Sequence, residues 1–212
     1  NVSMLGIRSR TKITQKIIDA SQELIAIGAF CIGTNQIDLS ATANKGIAVF
    51  NAPYSNTRSV AELAIAEIIA LSRRIFDKSK ELHSGIWKKS STGSHEVRGK
   101  TLGIIGYGHI GSQLSVLAEG LGLKVYFYDL VDTLAMGNAE KCSSLNDLLK
   151  KSNFISLHVD GRSSNKNIIG EKEIALMKEG VILLNLSRGF VVDLNTVAKY
   201  IKSGKIAGFG VD

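Results

Sequence analysis

Gly106-Tyr107-Gly108-His109-Ile110-Gly111 is the stretch of this 212-residue chain that decides its fold. The apolar run at 101–105 before it predicts a buried strand, and the segment at 112–118 after it predicts a helix. A second apolar run, at 123–128, predicts the next strand and leads into Asp129. A Gly-x-Gly-x-x-Gly turn between strand and helix, with an acid at the end of the following strand, is typical of a dinucleotide-binding βαβ unit.

Each part of this turn has a separate physical task. Gly106 permits a tight turn, Gly108 lets the backbone approach a pyrophosphate, and Gly111 lets the helix pack closely on the strand. The N-terminus of the helix offers unpaired N–H groups to the anion. Asp129 can accept hydrogen bonds from both hydroxyls of an adenosine ribose and repels a 2′-phosphate, so we expect NAD as the cofactor. The alternative is that three glycines serve an ordinary strand-to-helix turn.

Composition and charge limit the class of protein. The 44% hydrophobic and 21% charged residues are ordinary for a globular protein, and no apolar run reaches the ~18 residues that a membrane span needs. The net charge of +7 is scattered without a long basic tract, which favours attraction of small anions over nucleic-acid binding. Cys31 and Cys142 lack the spacing of a metal site or a disulfide framework, so we expect reduced thiols, no metal and a cytoplasmic location.

Strand and helix patterns alternate along the rest of the chain. Beyond the turn we expect strands at 153–158, 180–186 and 206–211, and helices at 110–120, 144–150, 171–177 and 193–203. Before the turn we expect strands at 4–7, 24–27 and 47–50, and helices at 12–20 and 38–45. This alternation predicts an α/β fold, with a doubly wound parallel sheet preceded by a smaller βαβαβ unit.

A single long helix is predicted from Ser59 to about Leu82, and a polar loop at 84–100 follows it. Apolar residues cover more than one face of this helix, which indicates either deep burial or contact with a partner chain. The loop contains Trp87, the one tryptophan of the chain. This loop has two equally good interpretations. It is either an interface element or a surface loop with one half-buried ring.

Polar residues follow several of these strands, at the edge where ligands bind in open α/β sheets. Arg188, with Gly189 after it, can hold a carboxylate through two parallel hydrogen bonds; a structural salt bridge is the alternative. His158 could line the cofactor site, although a histidine at a strand end is more often satisfied by backbone groups. Arg8 and Arg10, two positions apart in an extended segment, point the same way and could clamp an anion; a solvated basic edge is the alternative.

Five longer segments carry a resemblance to a known family. They are AFCIGTNQIDL at 29–39, FNAPYSNTRSVAE at 50–62, RGKTLGIIGYGHIG at 98–111, VYFYDL at 125–130 and NLSRGFVVD at 185–193. Together they resemble the D-isomer-specific 2-hydroxyacid dehydrogenases over essentially the whole chain. Within that family the resemblance is strongest to the bacterial and fungal members that act on D-3-phosphoglycerate.

The resemblance implies a two-domain fold in which a cofactor domain interrupts a substrate domain. It assigns residues 1–55 to part of a flavodoxin-like substrate-binding domain and residues 56–212 to a Rossmann-type NAD-binding domain. We expect a homodimer or homotetramer formed through the helix and loop at 59–100, with no nucleic-acid or membrane partner. The family's catalytic Glu and its proton-transferring His fall beyond Asp212, so we expect the 212-residue chain alone to be inactive.

Residue by residue, the resemblance assigns roles to positions of this chain. Arg188 would bind and polarise the α-keto acid, and it is the catalytic residue expected here. Positions assigned to NAD are Gly106, Gly108, His109, Ile110, Gly111, Asp129, His158, Leu186, Ser187, Arg188 and Asp212, and those assigned to the substrate are Arg8, Arg10, Gly33 and Asn56. Two departures from the family pattern lie near the cofactor: Leu186 replaces a small residue, and Asp160 replaces a proline.

The function that the resemblance implies is NAD-dependent oxidation of D-3-phosphoglycerate to 3-phosphohydroxypyruvate, the first step of serine biosynthesis. The pair of Arg8 and Arg10, together with the segment at 50–62, favours this phosphorylated acid over glyoxylate or hydroxypyruvate. A dinucleotide-sensing corepressor that shares the fold is a rival of a different class. Turnover with phosphoglycerate would distinguish these possibilities.

Overall fold

The structure, a computed structural model, describes residues 2–212 and divides into two compact units. The first unit ends at Thr57 and the second spans Arg58–Asp212. Each contains a sheet in which all paired strands run parallel, with helices in the connections. The predicted α/β fold with parallel sheets is therefore confirmed. No helix within residues 2–212 is long and apolar enough to span a membrane.

The first unit is a three-stranded sheet with two short helices. Its elements are β1 (Met4–Ile7), α1 (Gln15–Ala20), β2 (Ala26–Ala29), α2 (Leu39–Asn44) and β3 (Ala48–Asn51), and the sheet order is β1-β2-β3. Helix α2 begins where predicted, because the Asp38 carboxylate accepts a hydrogen bond from the Ala41 N–H at 3.0 Å. Helix α1 begins three residues later than predicted. Ile13 is drawn out of it into a bridge with Ile37, and both side chains are buried in the core.

The second unit contains a six-stranded parallel sheet in the order β6-β5-β4-β7-β8-β9. Its strands are β4 (Thr101–Ile105), β5 (Lys124–Tyr128), β6 (Glu140–Lys141), β7 (Phe154–Leu157), β8 (Val181–Asn185) and β9 (Ile206–Val211). Its helices are α3 (Thr57–Ser72), α4 (Ile75–His83), α5 (His109–Gly120), α6 (Leu145–Lys151), α7 (Glu171–Leu176) and α8 (Leu194–Ser203). The two-residue strand β6 is absent from the sequence prediction, because both of its residues are exposed and charged and show no apolar pattern.

Strand β4 lies between β5 and β7. The chain adds β5 and β6 on one side of β4 and then adds β7, β8 and β9 on the other, so the direction of strand addition reverses at β4. Such a switch point opens a crevice beyond the carboxyl end of the strand, where ligands bind in α/β sheets. Two apolar clusters cover the sheet. One includes α3 and α5 residues such as Ile68 and Leu114, and the other includes α6 and α8 residues such as Leu148 and Val197. The sheet is therefore buried on both faces, as expected for parallel strands.

The single helix predicted at 59–82 is wrong: the structure breaks it into α3 and α4. Arg74 adopts left-handed backbone angles, with φ 55° and ψ 38°. The later loop binds the carbonyls at the end of α3 and just after it, since the His95 N–H donates to Ser72 O at 2.8 Å and the Ser94 hydroxyl to Arg73 O at 3.2 Å. The break also ends the buried face, because α4 contains no buried residue and Phe76 is 60% exposed.

Candidate functional site

Gly106 closes the turn at the end of β4, where no other residue fits. Its φ is +92°, a left-handed value that favours glycine. A Cβ at this position would lie 2.7 Å from the His158 carbonyl oxygen. The Gly106 N–H donates to Tyr128 O at 2.9 Å, which ties the turn to the end of β5. The loops after β4, β5 and β7 are therefore held together at one edge of the sheet.

Gly108 and Gly111 differ in what surrounds them, as the motif predicts. A Cβ on Gly111 would collide with the Gly106 carbonyl oxygen and crowd Ile104, so this glycine lets α5 pack against the turn. A Cβ on Gly108, the N-cap of α5, would meet no atom within 4 Å. The space beside this helix N-terminus is open, and the first N–H groups of α5 have no intrahelical partner. An open anion site of this shape fits the pyrophosphate of a dinucleotide.

The helix N-terminus also contains the predicted residues His109 and Ile110. His109 is the first residue of α5 and is exposed, whereas Ile110 is half-buried against the apolar cluster that contains Ile68 and Leu114. The two side chains therefore lie in different surroundings, and what the two residues share is the position of their backbone N–H groups. The N–H groups lie at the positive end of the helix dipole, which favours a bound anion.

Asp129 is fixed at the carboxyl end of β5 by two backbone hydrogen bonds. Its Oδ2 accepts from the Tyr107 N–H at 2.6 Å, and its Oδ1 accepts from the Val131 N–H at 2.9 Å. Each carboxylate oxygen keeps a further lone pair for a hydroxyl donor. This position and charge suit recognition of the ribose hydroxyls of an adenosine.

Tyr107 has a structural role that the sequence did not reveal. Its ring is buried and stacks on Phe127 with centroids 3.8 Å apart. Its hydroxyl shares a hydrogen bond with Ser115 Oγ at 2.7 Å and accepts from the Met136 N–H at 3.1 Å. The residue between the first two motif glycines therefore anchors the turn to α5 and to the loop after β5. Only its aromatic character, at a variable position of the motif, could have signalled this role.

His158 follows β7 and is half-buried beside the turn. Its Nε2 lies 2.8 Å from Ser156 Oγ, while its Nδ1 is buried without a hydrogen-bond partner among residues 2–212. Burial lowers the pKa of this imidazole from 6.5 to about 4, so the ring is neutral at pH 7. The ring therefore lies beside the Gly106 turn with Nδ1 enclosed by protein, and the contact of His158 with NAD stays a prediction.

Arg188 lies in a loop that the buried Asn185 holds in place. The Asn185 side chain accepts from the Ser187 N–H at 3.2 Å and the Ser187 hydroxyl at 2.7 Å, and it donates to Arg188 O at 2.9 Å. Within residues 2–212, the Arg188 guanidinium donates only to its neighbour's carbonyl, Ser187 O, at 3.0 Å. None of the ion pairs within residues 2–212 includes Arg188. The alternative of a structural salt bridge therefore has no support, and the fork remains free to bind a carboxylate.

Leu186 and Asp212 complete the predicted positions on this sheet. Leu186 is buried in the apolar cluster that includes α3, which accounts for a large residue at this position. Asp212 follows β9 and is exposed. Glu67 of α3, which the sequence reading missed, approaches the same strand: a Cβ at Gly210 would collide with its Oε2. Burial, and then the Asp212 charge, raise the pKa of the Glu67 carboxyl.

The substrate positions predicted in the first unit have a different local geometry from the one expected. Arg8 and Arg10 do not lie in one extended segment, because β1 ends at Ile7 and the chain turns, with the Thr11 N–H donating to Arg8 O at 3.3 Å. Both side chains are exposed, as is Asn56. The Gly33 carbonyl accepts from the Cys31 thiol at 3.3 Å. The argument from strand alternation therefore fails for this arginine pair.

Comparisons of the sequence and of the structure with known proteins both identify similar dehydrogenases. Residues 65–212 match the NAD binding domain of D-isomer specific 2-hydroxyacid dehydrogenases. D-3-phosphoglycerate dehydrogenase of Haemophilus influenzae is 54% identical over 212 residues, covering 100% of this chain and 52% of that protein. The Escherichia coli K12 enzyme of the same name is 53% identical over 208 residues, covering 98% of this chain and 51% of that protein. The chain belongs to the D-isomer specific 2-hydroxyacid dehydrogenase family.

A solved structure supports the fold and the cofactor. D-Lactate dehydrogenase from Aquifex aeolicus, complexed with NAD and lactic acid, superposes with a TM-score of 0.90 at 32% identity, covering 99% of this chain and 64% of that one. The family assignment and the predicted cofactor, NAD, are therefore confirmed. The chain spans about half the length of the phosphoglycerate dehydrogenases it matches.

Proposed function

We propose that the complete protein oxidises D-3-phosphoglycerate to 3-phosphohydroxypyruvate with NAD, the first step of serine biosynthesis. The observation that carries this proposal is the identity of 53–54% to two phosphoglycerate dehydrogenases over nearly the whole chain. We assign residues 56–212 to the NAD-binding domain and residues 1–55 to part of the substrate-binding domain.

The side chains described above account for binding and orientation. The open turn at Gly108 would hold the pyrophosphate of NAD, and the carboxylate of Asp129 would hold the adenosine ribose. The Arg188 fork would bind the substrate carboxylate and polarise the C2 oxygen. When bound, NAD supplies the hydride acceptor for C2. The proton of the C2 hydroxyl leaves to a general base, which the family resemblance places outside this chain. The half-buried His158, which is neutral at pH 7, would lie on the cofactor side of this site.

Arg8 and Arg10 are proposed to bind the phosphate of the substrate, with Gly33 and Asn56 as further contacts. The support for this role is the family resemblance and the exposure of both guanidinium groups, neither of which forms an ion pair within residues 2–212. Arginine suits this task because its planar fork matches phosphate geometry. The Arg8→Ala, Arg10→Ala double variant should raise KM for phosphoglycerate and leave KM for NAD unchanged.

Turnover by the complete protein tests the proposal. NADH formation is followed with D-3-phosphoglycerate, and NADH consumption with 3-phosphohydroxypyruvate, glyoxylate and hydroxypyruvate. Preference for the phosphorylated pair in kcat/KM supports the proposed function. Preference for glyoxylate or hydroxypyruvate would indicate a different 2-hydroxyacid reductase. NADH binding without turnover of any of these acids would indicate a dinucleotide sensor.

We also propose that the protein assembles as a homodimer or homotetramer through the helices and loop at 59–100. Its support is a run of exposed apolar side chains on α4 and the loop after it, including Phe76 at 60% and Trp87 at 76% exposure. Exposed apolar patches of this kind are typical of subunit contacts. Sedimentation of a Phe76→Ser variant should show a smaller species. The matched control is Leu134→Ser, because Leu134 is 90% exposed but lies outside this surface.

A further inference from the structure

The loop after β7 contains an ion pair between Asp160 and Arg162 that has no role in the proposed reaction. The Arg162 Nε donates to both carboxylate oxygens of Asp160, at 2.8 Å and 2.9 Å, and the Arg162 N–H donates to Asp160 Oδ1 at 3.1 Å. The buried Asn165 braces this arrangement by donating to the carbonyl and the carboxylate of Asp160, each at 3.0 Å. Arg162 is therefore held in one position, although 55% of its side chain is exposed.

This ion pair lies close to the Gly106 turn. Strands β5 and β7 are the two neighbours of β4, so the loops that follow them flank the turn at Gly106. Gly106 packs against the His158 carbonyl on one side, and Asp129 accepts from the Tyr107 N–H on the other. The charge of Asp129 reaches across this turn: Asp160 mainly, and Asp129 more weakly, raise the pKa of the Arg162 guanidinium.

One edge of the Arg162 fork remains available. Nε and Nη2 are directed at Asp160, whereas Nη1 makes no hydrogen bond within residues 2–212. An arginine fork binds phosphate oxygens through such free N–H groups. In dinucleotide sites, an acid at the end of the second strand recognises the ribose 2′-hydroxyl, and an arginine nearby accommodates a 2′-phosphate. In this chain Asp129 is the acid and Arg162 is the arginine, and both would lie near the adenosine end of the cofactor.

We propose that Arg162, positioned by Asp160, is a second specificity-determining residue at the adenosine end of the cofactor site. Asp129 repels the 2′-phosphate of NADP, and Arg162 offsets part of that repulsion. The strength of the preference for NAD is then set by both residues rather than by Asp129 alone. The inference rests on NAD binding at the Gly106 turn, which is part of the proposed function.

Dissociation constants for NADH and NADPH, measured by fluorescence titration of the complete protein at low ionic strength, test this inference. The Asp129→Asn background removes the repelling charge, and both cofactors are compared in that same background. Adding Arg162→Ala to that background should weaken NADPH binding by roughly 10-fold or more, since a charged hydrogen bond contributes about 1.5–3 kcal/mol. NADH binding should change by less than about two-fold, because it has no 2′-phosphate.

Two further variants locate the effect. Asp160→Asn keeps the shape of the positioning residue but removes its charge, and it should weaken NADPH binding less than Arg162→Ala does. Lys199→Ala removes an exposed cation that is ion-paired to Glu171 at 2.6 Å on other elements, and it should leave both constants unchanged. If Lys199→Ala weakened NADPH binding as much as Arg162→Ala, the net charge of the protein would explain the effect. That result would overturn the proposal.

The remaining outcomes also decide the question. Equal weakening of NADH and NADPH by Arg162→Ala would place the guanidinium on the shared pyrophosphate and overturn the proposal. Unchanged constants for both would overturn it as well. In either case, normal NADH binding by the parent protein leaves the proposed function intact. Failure of the parent protein to bind NADH would overturn both proposals together.

Discussion

Arg188 shows how far a single residue can be interpreted from sequence. Its position after an apolar strand, before a glycine, predicted a ligand-binding fork and left a structural salt bridge open. The structure removes the salt-bridge alternative, because Arg188 has no acidic partner within residues 2–212, and carboxylate binding stays a prediction. The brace beneath it, Asn185, could not be predicted, since its importance depends on three hydrogen bonds to its own loop.

Arg188→Lys should therefore cripple turnover in the complete protein and spare NADH binding. Lysine keeps the charge but cannot form two parallel hydrogen bonds to a carboxylate. The expected loss in kcat/KM is on the order of 1.5–3 kcal/mol for each charged hydrogen bond removed. Steady-state kinetics with phosphoglycerate, beside an NADH titration, measures both quantities. Near-normal turnover would show that Arg188 has only a structural role.

At the scale of elements, the turn between β4 and α5 was predictable because its information is local. Six consecutive residues specify a positive φ, an open helix N-terminus and a close helix-strand contact. The break between α3 and α4 was not predictable, because the groups that cap α3 come from residues 94 and 95 in a loop more than 20 positions away. Hydrophobic periodicity continues through such a break, since it contains no information on distant hydrogen bonds.

Two glycines of the turn should respond differently to the same added methyl group. Gly106→Ala places a Cβ 2.7 Å from the His158 carbonyl oxygen at a φ of +92°, so the free energy of unfolding should fall by about 1–3 kcal/mol. Gly108→Ala meets no atom within 4 Å and should leave stability nearly unchanged. It should nevertheless weaken NADH binding, because the methyl group occupies the space of the pyrophosphate.

Urea unfolding and NADH titration of both variants separate these effects. A stable Gly106→Ala protein would show that the turn relaxes away from His158. A Gly108→Ala protein with unchanged NADH affinity would place the pyrophosphate elsewhere. The pair serves as its own control, because both changes add one methyl group within three residues of each other.

For the molecule as a whole, the sequence predicted the order of strands and helices better than the chemistry of buried side chains. Alternating patterns predicted the parallel sheet, and the glycine motif predicted the edge at which we expect the cofactor to bind. The environments of His158 and Glu67 were not predictable, because each depends on elements far apart in the chain. These two half-buried groups have opposite effects on how the stability of the chain depends on pH.

His158 makes the protein less stable in acid. Burial lowers its folded-state pKa to about 4, while the unfolded value is near 6.5, so the unfolded chain takes up the proton first as pH falls. The stability associated with neutral His158 is complete above about pH 6.5 and is lost towards pH 4, by about 3 kcal/mol in total. His158→Gln keeps a polar group near Ser156 and should flatten the profile of unfolding free energy in this range. An unchanged slope between pH 4 and 6.5 would contradict the neutral, buried state.

Glu67 acts in the opposite direction. Its folded-state pKa is raised, mainly by burial and then by Asp212, so the folded chain holds the proton more tightly than the unfolded chain. The stability that protonated Glu67 contributes is complete below its ordinary value of 4.5 and is lost as pH rises through the folded-state pKa. Glu67→Gln removes the charge and keeps the shape against Gly210, so it should raise the free energy of unfolding at pH 7 and leave it unchanged in acid. Urea unfolding across the pH range measures this, with Glu62→Gln, an exposed carboxylate on the same helix, as the matched control. Equal responses of the two variants at pH 7 would show that the Glu67 carboxylate is solvated rather than buried against β9.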